Sequence, residues 1–409
     1  MGDREPDHPG VSGPADTGEA AARASSAGGS FPLAAFLSRW ADCAVQDLAA
    51  SDSQTLPLST LLRYAGAEDL RRWHGVGLGY ADPRGAPWLR SAIAGRYEAL
   101  GTSGVLACNG AQEAMACVLR AALRPDDHAI VVVPIYGPSE LAVTSLCATS
   151  GVALDPDRSW SLDLHRVAAA IRPNTRLVLA NFPNSPTGAS LDRAALDGLV
   201  ALCRRHGLWL VNDEVYGRTD ARGGAAPVVD RYERGVSVDG LSKGFGLPGL
   251  RVGWAACRDE GLLDRAMAQK SLLSSCLSGP SEVLAHIALG MEGRITALSR
   301  SIGRRNHRRL RALLDRFPDL FEADAPANLA FAFPRFRGAG GAVRFAEALA
   351  RQAGLLVPPS TLWRSPLAQV PDDRLRIGLG RLGSGPALAA LEAHLIRSAP
   401  SRGGAACTG

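Results

Sequence analysis

Between residues 129 and 257, short apolar runs recur with helix-like segments between them, and this alternation narrows the possible folds more than any single motif does. The runs are Ala129–Pro134, Arg176–Asn181, Leu208–Asp213, Gly235–Asp239 and Arg251–Cys257. Each has the length of a strand, and their continuous apolar character suits strands covered on both faces. Helical spacing is clearest in Leu191–His206. The pattern predicts an α/β fold, a large domain with a mostly parallel sheet flanked by helices. Sheets of this kind bind ligands beyond the carboxyl ends of their strands. Tyr136, Asn181 to Gly188, Asp213 with Tyr216, and Ser242 with Lys243 all fall at those ends. Chance would scatter them over both edges.

The flanking regions read differently. After Met1, residues 2–30 hold no apolar residue larger than Val11, so residues 1–30 predict a disordered tail, as do residues 399–409. Residues 31–75 predict a helix over Phe31–Val45 and an arm that joins the smaller domain. Residues 76–280 form the large domain, with helices from Ala86 to Leu100 and from Glu113 to Leu123. Residues 281–398 predict a smaller α+β domain. Its elements are a long helix from Glu282 to Phe317, a strand over Leu329–Phe333, a helix over Gly341–Ala353, a strand over Arg374–Gly380 and a helix over Gly385–Arg397.

Composition removes several function classes. With 46% hydrophobic and 21% charged residues, the chain matches a soluble globular protein. No apolar run approaches the roughly 18 residues of a membrane span. A net charge of +5 without an aromatic-interleaved basic stripe argues against nucleic acid, and the cluster from Arg304 to Arg309 reads as a solvated helix face. The eight cysteines lack metal-ligand spacing, so no metal site is expected. Acidic residues stand where a signal peptide would be basic, which suits a cytoplasmic protein.

Of 45 basic residues only Lys243 and Lys270 are lysines. A chain that writes nearly every cation as Arg uses Lys where Arg cannot serve. Arg cannot lose its proton and so cannot form a Schiff base, whereas a desolvated Lys can. Lys243 taken by itself is equally well a surface lysine before a loop; Lys270 matches no motif and reads as surface. Asp213, in V-N-D-E-V-Y, is either a helix N-cap after a strand or a partner for a cationic ring. Asn109-Gly110-Ala111-Gln112 opens a helix with small residues, a setting in which backbone amides can approach a phosphate.

Together these motifs resemble the class I/II aminotransferases, fold type I pyridoxal phosphate enzymes, over roughly Phe31 to Ser398. The resemblance implies pyridoxal 5'-phosphate as cofactor and Lys243 as its covalent anchor. It assigns the phosphate to Gly110, Ala111, Gln112 and Arg251, the ring nitrogen to Asp213, the phenolic oxygen to Tyr216, and ring stacking to Tyr136, with Ser242 in the cofactor site beside the lysine. Arg376 would clamp the substrate carboxylate; Arg374 and Arg381 fit less well, and either could be solvated. Tyr80 would reach the cofactor of a neighbouring subunit, which implies a homodimer. Two positions depart from the family pattern. Ser185 replaces the Asn before Pro-Thr-Gly, with Asn184 able to substitute if the turn shifts, and Gly240 replaces a phosphate-binding hydroxyl. The family implies an amino acid substrate and a 2-oxo acid partner. The segment D-L-A-A-S-D-S-Q-T-L-P-L resembles that of capreomycidine synthase and its relatives, which implies elimination and cyclisation as the alternative to transamination.

Overall fold

The computed structural model describes residues 31–98, 100–223, 226–322 and 328–398. Both predicted tails, 1–30 and 399–409, lie outside the described residues. Seven strands build the central sheet: β1 (Val105–Cys108), β2 (His128–Val133), β3 (Ala148–Ala153), β4 (Thr175–Asn181), β5 (Trp209–Asp213), β6 (Gly235–Gly240) and β7 (Gly253–Cys257). They lie in the order β1-β7-β6-β5-β4-β2-β3. Five neighbours, β2 to β6, run parallel, and β7 is antiparallel to both β6 and β1.

The sheet is buried on both faces because successive side chains point to opposite sides. Val131, Leu179, Val211 and Val238 pack against the helices Ala111–Ala122 and Glu260–Ser271. Ile130, Val132, Val178 and Leu210 face the helix Arg193–His206. All five predicted strands are present: the one predicted from Gly235 starts there, and the other starts are shifted by one or two residues. The strand expected from Arg251 begins at Gly253, because Arg251 takes a left-handed φ of 53° that no strand accommodates. Two strands were not anticipated. β1 is only four residues long, and β3, A-T-S-G-V-A at the sheet edge, is half-exposed and carries the polar residues of a turn.

A separate apolar cluster joins Leu310, Leu313, Phe336, Leu349, Ile377, Leu388 and Leu391 to Leu48 from the arm. The helix predicted over Glu282–Phe317 is two helices, Gly279–Gly290 and Glu292–Arg316, separated at Met291. The first packs Val283, Leu284 and Ile287 among the helices that precede the sheet, and the second turns Leu310 and Leu313 to the C-terminal cluster. One straight helix could not serve both. The helix predicted over Phe31–Val45 ends at Trp40, and the strand predicted over Arg374–Gly380 is reduced to Ile377–Gly378, preceded by isolated bridges at Arg374 and Leu375. The helix over Gly341–Ala353 stands as predicted.

Lys270 requires the largest correction. It is fully buried, and its amine donates to the carbonyl of Pro83. The helix Glu260–Ser271 lies against the sheet, so its last turn is covered by the segment leading to Gly85, whose next residue, Ala86, donates its N–H to Glu282 Oε1 at 2.8 Å. No helix among the described residues is long and apolar enough to cross a membrane.

Beneath the sheet, the buried Trp254 Nε1 donates to Tyr97 Oη at 2.7 Å. Replacing Tyr97 by Phe strands that indole N–H and should destabilise the protein by about 1–3 kcal/mol. The measurement is a denaturant titration, with a lower midpoint at an unchanged slope.

Candidate active site

The strand ends place the polar residues on one edge, and loops from distant parts of the chain close over them. Asp213 ends β5. Its Oδ1 accepts from Val215 N at 3.2 Å, so it does serve as a turn acceptor, and Asn181 Nδ2 holds its carbonyl at 2.9 Å. Burial raises its carboxyl from the usual range to about 7, opposed by the turn amide and by the charge of Lys243. Such a carboxylate gains from a bound cation.

Three residues past β6, the amine of Lys243 donates to Ser51 Oγ at 3.3 Å. Tyr216, 3% exposed, donates its phenol to the same oxygen at 3.0 Å and packs edge-on against Phe331. Ser51 lies in the arm, 192 residues before Lys243. The sequence marks only its segment, 51–61, irregular and polar-then-apolar, as a source of specificity, without a role for the hydroxyl.

The helix Ala111–Ala122 begins at Gly110, whose φ is 99°, without a side-chain cap. A Cβ at Gly110 would lie 2.6 Å from Arg251 Nη2, so the guanidinium rests directly on the helix start. Arg251 donates to the carbonyls of Asn109 and Pro248. Open first-turn amides beside an arginine suit a dianion. The Gly240 departure has a steric cause: a Cβ there would stand 3.0 Å from both Gly253 Cα and Val252 O. Gly253 in turn packs against Ala111 N, where a Cβ would come within 2.2 Å. The helix start thus sits flush on the ends of β6 and β7, filling the space a longer side chain would need. Gln112 Oε1 accepts from Ser139 Oγ at 3.2 Å, Ser242 is half-buried beside Lys243, and Tyr136 stands 42% exposed at the head of the helix Gly137–Thr144.

Arg376 is buried and forms no ion pair among the described residues. Its Nη2 donates to Ala49 O at 2.7 Å, Nη1 approaches Ser185 Oγ at 3.5 Å, Nε has no partner, and the guanidinium lies over Trp363. Burial lowers its pKa, the mark of a desolvated cation that a carboxylate would relieve. The turn residues divide accordingly: Ser185 faces Arg376, whereas Asn184 is committed elsewhere. Asn184 is fully buried, donates to Pro134 O and accepts from Thr187, so it cannot substitute at the site; this corrects the expectation for it. Neither neighbour of Arg376 is simply solvated. Arg374 is buried over Trp160, and Arg381 makes two 2.8 Å bonds to Asp52. Tyr80 is 94% exposed and lines a surface groove with Arg72, Trp88 and Gly279, away from Lys243.

Next to the end of β5, a cavity of about 250 Å³ is lined by Asn212, Glu214, Arg218, Asp239 and Glu292 together with apolar residues such as Phe182 and Leu196. Arg218 bonds Asp239 at 2.7 Å and Glu292 at 2.8 Å, and burial raises Glu214 to about 8. This network braces the ends of β5 and β6 from below and contains neither Lys243 nor Arg376.

A family model described as aminotransferase class I and II matches residues 48–382. The chain is 37% identical over 186 residues to an arginine–pyruvate transaminase from Pseudomonas aeruginosa, covering 43% of this chain and 47% of the relative. It therefore spans about half the length of that protein. It is 30% identical to capreomycidine synthase from Streptomyces vinaceus, covering 71% of this chain and 73% of the relative. Among solved structures, a PLP-dependent aminotransferase from Streptococcus suis superposes with a TM-score of 0.83 at 25% identity, covering 90% of this chain and 98% of that one.

The raised carboxyl of Asp213 has a consequence for the chain without cofactor. A folded pKa above the unfolded value of 3.8 gives a contribution to stability that is full below pH 3.8 and lost as pH rises through about 7. Asp213→Asn removes that loss. Cofactor-free Asp213→Asn should therefore gain thermal stability relative to the parent as pH rises from 5 to 8, as read by calorimetry across that range.

Proposed function

Because the chain belongs to the class I and II aminotransferase family, whose cofactor is pyridoxal phosphate, we propose that it transaminates an α-amino acid to its 2-oxo acid. The observation that carries this reading is the convergence of Lys243, Asp213, Tyr216 and the unpaired, buried Arg376 on one edge of the sheet. The residues fit the cofactor: open helix amides and Arg251 for a dianion, a desolvated carboxylate for a cationic ring, and a held amine for an aldehyde. Pyridoxal phosphate, when bound, supplies the electron-withdrawing ring that makes the substrate α-hydrogen acidic.

The side chains then divide the work. The Ala111 and Gln112 amides with Arg251 hold the phosphate, with Ser242 beside them, and Gly110 leaves the space. Asp213 would face the ring nitrogen and favour its protonated form. Tyr216 would turn its phenol from Ser51 to the phenolic oxygen, and Tyr136 would flank the ring. Arg376 receives the substrate carboxylate, and the Lys243 amine takes the α-proton and returns it. Ser185 acts through Arg376 in this reading, since its hydroxyl faces that guanidinium. The division into an arm (31–75), a large domain (76–280) and a small domain (281–398) belongs to the same proposal. So do a cytoplasmic location and a homodimer in which the exposed Tyr80 serves the partner's site.

A second reading has a specific support. The alignment with capreomycidine synthase covers more of both chains than that with the transaminase, and Ser185 and Gly240 change usual cofactor contacts. That reading is elimination followed by ring closure on a hydroxylated amino acid. The name of the transaminase relative, which contains arginine, makes guanidino amino acids the first substrates to try.

The deciding experiment mixes holoenzyme with arginine, 3-hydroxyarginine and a panel of other amino acids, then identifies cofactor and product by mass spectrometry. Transamination yields pyridoxamine phosphate and a 2-oxo acid; elimination leaves pyridoxal phosphate and a product lighter by water or ammonia. Lys243→Ala should lose the borohydride-trapped label altogether, and a trapped chromophore in that variant would sink the assignment. Arg376→Ala should raise KM by about 10- to 100-fold, the scale of a charged hydrogen bond.

A further inference from the structure

A lysine amine rides on a flexible four-carbon stem and needs an external contact to stand in one place. Among the described residues, the hydrogen-bond acceptor for Lys243 Nζ is Ser51 Oγ, at 3.3 Å. That oxygen also accepts from Tyr216 Oη at 3.0 Å, and Ser51 is only 6% exposed. A serine hydroxyl has two lone pairs and one hydrogen. Amine and phenol take both lone pairs, while the hydrogen donates to no described residue.

The backbone holds this hydroxyl from both sides. Ser53 N donates to Lys243 O at 3.0 Å, and a Cβ on Gly246 would lie 2.4 Å from Gln54 O, so the arm lies flat on the lysine loop. On the opposite side Ala49 O accepts from Arg376, and Asp52 binds Arg381 through two bonds. Ser51 sits between these anchors.

We propose that Ser51 is a positioning residue for the Lys243 amine, tying it to the Tyr216 phenol at a place set by the arm. The inference rests on Lys243 being the cofactor-binding amine. Nothing else in the site supplies this contact, and alanine would remove it while keeping the backbone and Cβ.

The two-lysine composition makes a direct test possible. Full-length protein without cofactor is treated with acetic anhydride at fixed pH, and acylation at Lys243 and Lys270 is followed by peptide mass spectrometry. In parallel, pyridoxal phosphate is added to untreated protein and the rise in visible absorbance is timed. Ser51→Ala should change the acylation rate of Lys243 at least about threefold and slow cofactor capture about tenfold, the scale of one hydrogen bond. Ser51→Thr, which keeps the hydroxyl, should stay within about twofold of the parent on both readouts, well under the effect of losing the bond. Buried Lys270 reports the fold and should stay protected in each variant. If Ser51→Ala exposes Lys270, Ser51→Cys, a poor hydrogen-bonding isostere, decides by the same two rates. Parent-like rates at Lys243 in a folded Ala or Cys variant overturn the proposal, as does a Thr variant that behaves like Ala. A parent protein that gains no visible absorbance would overturn the cofactor role of Lys243 instead, and the acylation rates would still decide the positioning of its amine.

Discussion

Backbone-on-backbone contact along the arm, from Leu48 to Gln54, holds the rest of the site together. Three glycines far away in sequence have no room for a side chain against it. A Cβ on Gly378 would lie 2.0 Å from Ala50 O, one on Gly380 2.3 Å from Asp52 O, and one on Gly246 2.4 Å from Gln54 O. Gly246 takes a left-handed φ of 66°, which glycine adopts without strain. Through these seats one extended segment touches both the loop that carries Lys243 and the strand that carries Arg376. The distance between amine and guanidinium is therefore a property of the arm, which belongs to neither element.

Electrostatics follows from that geometry. Arg376 and Asp213 both carry the cost of desolvation, one as a cation without a carboxylate and the other as a carboxylate with only weak compensation. Left alone, such groups oppose folding. The buried network of Arg218, Asp239 and Glu292 shows the contrasting solution, in which each charge finds its partner inside the protein. The same strand ends thus carry a satisfied layer below and an unsatisfied one above. Ligand chemistry belongs to the second, because a bound zwitterion and a cationic ring would supply the missing charges. The phosphate cradle works by shape as much as by charge. Gly110, Gly240 and Gly253 let a helix start, a guanidinium and two strand ends meet within van der Waals contact.

Much of this was legible in the chain. The period of the apolar runs determined the sheet and its burial on both faces, since strands covered on two sides must be apolar throughout. The rarity of lysine singled out Lys243, because only an amine that can lose its proton forms a Schiff base, and Asp213 and Lys243 both fall at predicted strand ends. Local sequence could not say which polar groups the fold would consume. Asn184 and Ser185 are adjacent, yet the turn buries one amide against Pro134 and aims the other hydroxyl at Arg376. Lys270 had no motif, and only the covering segment at Pro83 made it a core residue. Ser51 carried only the faint signal of an irregular arm, because its role depends on three segments converging from residues 51, 216 and 243. Periodicity and residue chemistry are local and survive in the sequence. Convergence across hundreds of residues, and the desolvation it causes, exist only once the chain has folded.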